Sequence, residues 1–467
     1  MTRLTFLGAA RSVTGSRFQL STDSSTLLVD CGLNQERSMQ ARNWEPFPVP
    51  PDRIDEVLLT HAHLDHCGLL PRLVREGFRG AIYATGPTAE IARIVMLDSA
   101  RLQKEDVEQK RRRHERENRK GPHEAVPLYD EKDAERAASL FREVRLGETI
   151  SLKGSLEAEY FEAGHILGSA SIRVRAGKGS DSKTVLFSGD IGRWDRPIIK
   201  DPEPCDRADY VLMESTYGDR LHGDDTRIAE QLASVVTRTV ARGGNLVIPS
   251  FAIERSQEVL YYLNALLREN RVPHLLVFLD SPMATKVNDV FAHWPAYFDP
   301  DMARLIAEQR SPFDLPGLVL ARSSDDSKAI NRITGSSIII AGAGMCTGGR
   351  IKHHLVRNIG RPESTILFVG YQAEGTLGRL IVEGARQVRI LGETLTVKAG
   401  VEKIEGFSGH ADRDELLRWA GALRTPPRQA FVIHGEPQTA EKFRGTLAEK
   451  LGWKASVPAP GQTVALD

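Results

Sequence analysis

Short apolar runs broken by glycine and polar turns dominate the chain as far as about residue 206. Leu27-Leu28-Val29 and Val57-Leu58-Leu59 are too short for helices and read as strands, and Phe18 to Val29 reads as a strand pair around a polar Ser/Thr/Asp turn. From residue 207 the texture changes. Apolar runs at Tyr210 to Met213, Leu246 to Ile248, Leu275 to Leu279, Ile338 to Ile340 and Ile366 to Val369 alternate with helical patterns such as Ser256 to Leu267 and Ile351 to Ile359. That alternation predicts a parallel α/β unit. Near residue 399 the chain returns to strand-like Thr394 to Val401, then a helix from Arg413, a strand at Ala430 to Ile433, and a last helix and strand. The pattern predicts one domain made of residues 1–206 and 399–467, with a second domain, 207–398, inserted in it.

With 467 residues the chain can bury two separate cores. Its 62 Lys/Arg balance 62 Asp/Glu, so overall charge does not point to or away from nucleic acid, and any basic groove is local. The densest charge runs from Arg101 to Lys120, where nine basic residues face five acidic ones, and predicts a solvated helix. Cys31, Cys67, Cys205 and Cys346 form no Cys-x-x-Cys pair and suit a reducing cytoplasm better than a disulfide framework. Met1 to Leu7 moves straight into a strand-like run and no long apolar segment follows, so neither secretion nor membrane spanning is expected.

The chemistry concentrates in His61-Ala62-His63-Leu64-Asp65-His66, directly behind the Val57-Leu58-Leu59 run. In an extended segment residues two apart point the same way, so His61 and His63 can share one ion while Asp65 and His66 turn toward a second. Neutral imidazoles and carboxylates suit zinc, and the absence of thiolates from the cluster favours a catalytic over a structural site. Asp30, His165, Asp190 and His434 each sit where an apolar run breaks, at the strand ends where α/β proteins assemble sites.

The His-x-His-x-Asp-His signature, with Asp30 after Leu27-Leu28-Val29, resembles the metallo-β-lactamase superfamily. Met213-Glu214-Ser215-Thr216-Tyr217-Gly218, Phe407-Ser408-Gly409-His410-Ala411-Asp412 and Val432-Ile433-His434-Gly435-Glu436 resemble motifs A, B and C of its β-CASP branch. Lesser blocks agree, among them Asp280-Ser281-Pro282-Met283-Ala284 and Gly344-Met345-Cys346-Thr347-Gly348-Gly349-Arg350. The resemblance covers nearly the whole chain outside the charged segment. It implies an αββα sandwich of metallo-β-lactamase type, with an inserted β-CASP domain containing a mainly parallel sheet flanked by helices.

It also implies two zinc ions per chain, one on His61, His63 and His165, the other on Asp65, His66 and His434, with Asp190 bridging them. Asp65 and Asp190 then belong to the catalytic set. Asp30 orients neighbouring groups without touching metal. His410, whose imidazole titrates near neutrality, is the candidate general acid and substrate contact, held by Glu214. Ser408, beside it in sequence, is a candidate for the substrate phosphate. Arg350, after a glycine-rich run and before a helix, is another. The run lacks the spacing of a dinucleotide fingerprint or a phosphate-binding loop.

The implied activity is hydrolysis of single-stranded RNA, endonucleolytic or 5′-to-3′ exonucleolytic, leaving 5′-phosphate and 3′-hydroxyl ends. Three alternatives stand beside it. A DNA-processing β-CASP nuclease typically carries valine where this chain has His434; a small-molecule hydrolase of the superfamily lacks the large insertion; a non-catalytic RNA-binding scaffold would have lost ligands that are all present here.

Overall fold

The computed structural model describes residues 2–36, 38–117, 126–177, 179, 182–223, 227–373 and 375–467. The strands up to residue 214 are β1 (Thr2–Phe6), β2 (Phe18–Ser21), β3 (Thr26–Val29), β4 (Glu56–Leu58), β5 (Ala81–Thr85), β6 (Phe141–Val144), β7 (Thr149–Leu152), β8 (Leu156–Glu162), β9 (Ala170–Ala176), β10 (Lys183–Phe187) and β11 (Tyr210–Glu214). Then come β12 (Leu246–Pro249), β13 (Leu276–Asp280), β14 (Leu318–Leu320), β15 (Ser337–Ala341), β16 (Thr365–Phe368), β17 (Gln387–Ile390), β18 (Glu393–Thr396) and β19 (Gly400–Lys403). The chain ends with β20 (Gln429–Ile433), β21 (Ala455–Ser456) and β22 (Thr463–Leu466).

Two compact units result. One comprises residues 1–195, 201–221 and 410–467, the other 196–200 and 222–409. In the first unit two sheets lie face to face, in the orders β22-β1-β2-β3-β4-β5-β6 and β21-β20-β11-β10-β9-β8-β7. Alternation along the strands explains the layering: Leu4, Phe6, Leu20, Val185, Phe187, Leu212 and Ile433 fill one core between the sheets. Leu186, Val211, Met213 and Val432 point the other way, against Trp419 and Phe443 of the helices Arg413–Ala420 and Pro437–Leu451. This is the expected sandwich.

The second unit is built on the sheet β14-β13-β15-β12-β16-β19, in which every pairing is parallel. Both faces are covered, as parallel sheets require. Leu246 and Ile248 pack with the helices Ile228–Ala241 and Arg255–Arg268, whereas Val247 packs with Ile351–Asn358. Residues 196–200 join this unit through an Ile199–Phe298 bridge and an Arg196–Glu258 ion pair.

The expected boundaries at 207 and 398 need correction. Tyr210 to Met213 belongs to β11, which pairs with β10 and β20 inside the sandwich, so the second unit begins its main stretch at His222. β11 is buried along its full length, and in sequence a strand of that kind looks the same in either unit. At the far end Thr394 to Val401 is two strands. β18 pairs back on β17, and β19 pairs with β16, which keeps it in the second unit. The charged segment is helical as far as Arg116, within the helix Gly86–Arg116; Asn118, Arg119 and Lys120 lie outside the described residues. No helix among the described residues is long and apolar enough to cross a membrane.

Candidate metal centre

Two glycines let the site's loops touch. A Cβ on Gly32 would collide with the carbonyl of Asp65, and one on Gly192 with the carbonyl of Gly164. The loop after β3 is thereby pressed onto the His61–His66 turn, and the loop after β10 onto the loop that carries His165. Asp30 and His434 are both left-handed, at φ 59° and 49°. Such backbone in non-glycine residues is uncommon and is held here by burial and hydrogen bonds, including Asp30 N to the Leu58 carbonyl and His434 N to the Ala9 carbonyl.

Asp190 stands at the centre, 2 % exposed. Its Oδ2 lies 3.4 Å from His61 Nε2 and 3.6 Å from His165 Nε2. Its Oδ1 lies 3.3 Å from His66 Nε2 and 3.5 Å from His434 Nε2. His63 Nδ1 is 3.1 Å from both His61 Nε2 and His165 Nε2, and Asp65 Oδ2 is 3.4 Å from His434 Nε2. The donor atoms gather as His61, His63, His165 and Asp190 on one side and as Asp65, His66 and His434 on the other, with Asp190 Oδ1 reaching across to His66 and His434.

The spacing fits metal. Zinc–nitrogen bonds of about 2.0–2.1 Å in tetrahedral array put neighbouring ligand atoms roughly 3.3 Å apart, and the separations above range from 3.1 to 3.6 Å. Asp190 Oδ1, though buried, makes no well-formed hydrogen bond. An orphaned carboxylate oxygen ringed by imidazole nitrogens has the chemistry of a bridging ligand.

Electrostatics separates the two groups. Burial drives the His61 imidazole well below its ordinary value, and brings His63 down to about 4. Burial acts the same way on His66 and His434, but there Asp190, with Asp30 for one and Asp65 for the other, outweighs it and raises both. Asp190 itself is kept well below the usual carboxylate range, because the charges of His434, His66 and His61 overcome the cost of burial.

His410 flanks the pair of groups. Its Nδ1 is 3.3 Å from Glu214 Oε1 and 4.0 Å from Asp190 Oδ2. Glu214 is fully buried at the end of β11, and it accepts hydrogen bonds from the backbone N–H of Ile191 and of Thr216. Burial opposes protonation of His410, yet the Glu214 carboxylate, with Asp190 and Asp65 beyond it, raises the imidazole to about 8. Asp190, Glu214 and His410 also lie close enough to form a third donor group.

Comparison with known proteins agrees with this geometry. Residues 19–188 match the metallo-beta-lactamase superfamily domain, 256–381 the Beta-Casp domain, and 394–458 the Zn-dependent metallo-hydrolase RNA specificity domain. The chain is 38 % identical over 462 residues to Ribonuclease TTHA0252 of Thermus thermophilus, covering 99 % of each. It belongs to the β-CASP ribonuclease family of the metallo-β-lactamase superfamily. Another relative, Transcription termination factor FttA of Methanosarcina mazei, is 32 % identical over 96 % of this chain and 69 % of its own length. A protein of unknown function from Enterococcus faecalis shares the fold, with a TM-score of 0.55 at 12 % identity over the full length of both chains.

Within this β-CASP chain the seven expected metal ligands converge, as do His410 and Glu214. Asp30 sits behind the centre, its Oδ2 2.7 Å from His66 Nδ1. Ser408 is half-buried, two residues ahead of His410. Arg350 stands apart from these residues, in the second unit. Its Nη1 donates to Asp280 Oδ1 at 2.6 Å and to the Ala321 carbonyl at 2.9 Å, so it braces the second unit's own strand ends. His353 is exposed and His354 is buried on Asp280. Sequence reasoning missed Ser16, Thr60 and Thr216, whose hydroxyls touch His66 Nε2, His61 Nδ1 and His434 Nδ1. The available signal was position alone: Thr60 precedes His61, and Thr216 lies inside the Glu214 motif.

Proposed function

We propose that this chain is a two-zinc ribonuclease that hydrolyses phosphodiester bonds of single-stranded RNA, endonucleolytically or from the 5′ end, to 5′-phosphate and 3′-hydroxyl products. The observation that carries the reading is the division of Asp190, one oxygen toward each ligand group. The seven ligands are His61, His63, His165, Asp65, His66, His434 and the shared Asp190. Two divalent ions held there supply, when bound, a water nucleophile active at neutral pH and neutralisation of the phosphodiester's charge.

The remaining chemistry belongs to side chains. When water attacks phosphorus, the P–O3′ bond breaks and the departing oxygen needs a proton. Glu214 engages His410 at Nδ1, and Nε2 is the nitrogen proposed to give up this proton. The Glu214 charge favours the imidazolium that the step consumes. Ser408, from its place beside His410 in sequence, is the proposed contact to the substrate phosphate. RNA is preferred to DNA because His434 completes the second ligand group and because the match to an RNA specificity domain covers residues 394–458.

The test uses one single-stranded RNA labelled at either end, beside matched DNA and a thioester. Internal 5′-phosphorylated fragments from RNA alone support an endonuclease, and stepwise 5′ shortening supports the exonuclease form. DNA cut as fast as RNA would overturn the choice of polymer. An RNA whose 3′-bridging oxygen is sulfur leaves with little need of a proton, so it should restore cleavage to His410→Ala and not to His63→Ala. Failure of that rescue, together with loss of metal from His410→Ala, would make His410 a ligand.

A further inference from the structure

Two threonine hydroxyls occupy positions that determine where the protons of two ligand histidines sit. Thr60 is 1 % exposed. Its backbone N–H donates to Asp30 Oδ1 at 2.8 Å, and its hydroxyl lies 2.9 Å from Asp30 Oδ2, 3.1 Å from Asp30 Oδ1 and 3.1 Å from His61 Nδ1. A hydroxyl has one proton and two lone pairs. The Asp30 carboxylate accepts and does not donate, so the Thr60 proton goes to it. Two ring nitrogens remain, His61 Nδ1 and, at 3.3 Å, His66 Nδ1, which has a closer acceptor in Asp30 Oδ2 at 2.7 Å. His61 Nδ1 then carries its own hydrogen and donates to a lone pair of Thr60 Oγ1, which leaves the unprotonated nitrogen of the neutral ring at Nε2, facing Asp190 Oδ2.

Thr216 repeats the logic on the other ligand group. Its Oγ1 is 3.3 Å from the His434 carbonyl, which can only accept, and 3.1 Å from His434 Nδ1. The hydroxyl proton goes to the carbonyl, and Nδ1–H donates back to Oγ1. In the neutral ring that binds metal, the ligand atom is then His434 Nε2, which lies between Asp65 and Asp190. The third such partner is a carboxylate: Asp30 takes His66 Nδ1–H at 2.7 Å, so the neutral ring offers Nε2 as its ligand atom.

We infer that Thr60 and Thr216 are positioning residues for the metal centre, each fixing the Nδ1–H tautomer of one histidine so that Nε2 is a ready ligand. This rests on the metal reading above but not on the nature of the substrate. The two act unequally. Thr60 holds Asp30, which in turn holds His66, so it reaches both ligand groups; among the described ligand residues the Thr216 hydroxyl contacts His434. Loss of an outer partner of this kind typically lowers metal affinity about 10- to 100-fold.

The experiment is zinc titration of the full chain against a chromophoric chelator, for wild type, Thr60→Val, Thr216→Val, Thr60→Ser and Thr216→Ser. Thr216→Val should weaken one ion by roughly 10- to 100-fold and leave the other, whereas Thr60→Val should weaken both. The serine variants, which keep the hydroxyl, should bind as wild type. In zinc-loaded protein with ¹⁵N-labelled histidine, His61 and His434 should show the hydrogen on Nδ1. Valine variants with wild-type affinity for both ions, serine variants as weak as valine, or Nδ1 without a proton would overturn the assignment. A wild-type chain that takes up no zinc would overturn the metal reading as well, and so separates the two failures.

Discussion

Asp190 and Asp280 are both buried aspartates at the C-terminal ends of strands, one in each unit, and each has histidine beside it. Their surroundings differ in one respect. Asp280 is satisfied: Ser327 Oγ at 2.5 Å, His354 Nε2 at 2.6 Å and Arg350 Nη1 at 2.6 Å share its two oxygens. Asp190 meets four imidazole nitrogens at 3.3–3.6 Å, and its Oδ1 has no hydrogen bond. A carboxylate that is closely bonded holds a fold together, because removing any partner strands a buried charge. One that is ringed at ligand–ligand spacing has room for something between. The comparison separates a brace from the proposed metal bridge without reference to residue type.

Substituting Asp190 should have the largest effect. Asp190→Ala is expected to lose both ions and to reduce RNA cleavage to background, read by metal analysis and cleavage on one preparation. His410→Ala should keep both ions and lose turnover by roughly 10²- to 10⁴-fold. Glu214→Gln should act in the same direction but less, since the imidazole survives. Metal lost along with activity in His410→Ala would move His410 from acid to ligand and blur the comparison.

On the brace side, Asp280→Ala should leave zinc content unchanged and destabilise the chain by about 3 kcal/mol, the lower end for removing one member of a buried charged group, measured by urea unfolding. An Asp280→Ala chain that unfolds like wild type and loses zinc would invert the contrast. The smallest effect is in pH. Burial works against ionised Asp280, but hydrogen bonds from His354, Ser327 and Arg350 hold its carboxyl below the usual carboxylate range. A group depressed on folding contributes stability that is fully present above its unfolded value and is lost as pH falls through the folded one. The stability gap between wild type and Asp280→Asn should therefore be flat near neutrality and shrink only in strong acid. A gap that changes between pH 6 and 8 would assign the linkage to another group.

Legibility in the sequence followed distance along the chain. His61, His63, Asp65 and His66 were readable because one turn carries all four, and His165, Asp190, Glu214, His410 and His434 because each sits in a recognisable block at a strand end. Thr60 and Thr216 were not, since a threonine hydroxyl gains its role only from where the neighbouring ring nitrogen lands. The bracing bond of Arg350 was not legible either, since its glycine-rich approach is local while the Asp280 that it binds is 70 residues away. The parallel sheet was evident from alternating apolar runs and helical patterns, whereas the sandwich was implied by the family resemblance. β11 was placed in the wrong unit because burial on both faces leaves no alternation to say which sheet it joins.

The most direct test is the zinc content of the purified wild-type chain, measured by mass spectrometry on a preparation shown to be active. If Asp190 bridges two ligand groups, the content is two ions per chain. Well under one ion per chain in active protein would contradict the metal bridge, and with it the distinction between Asp190 and Asp280.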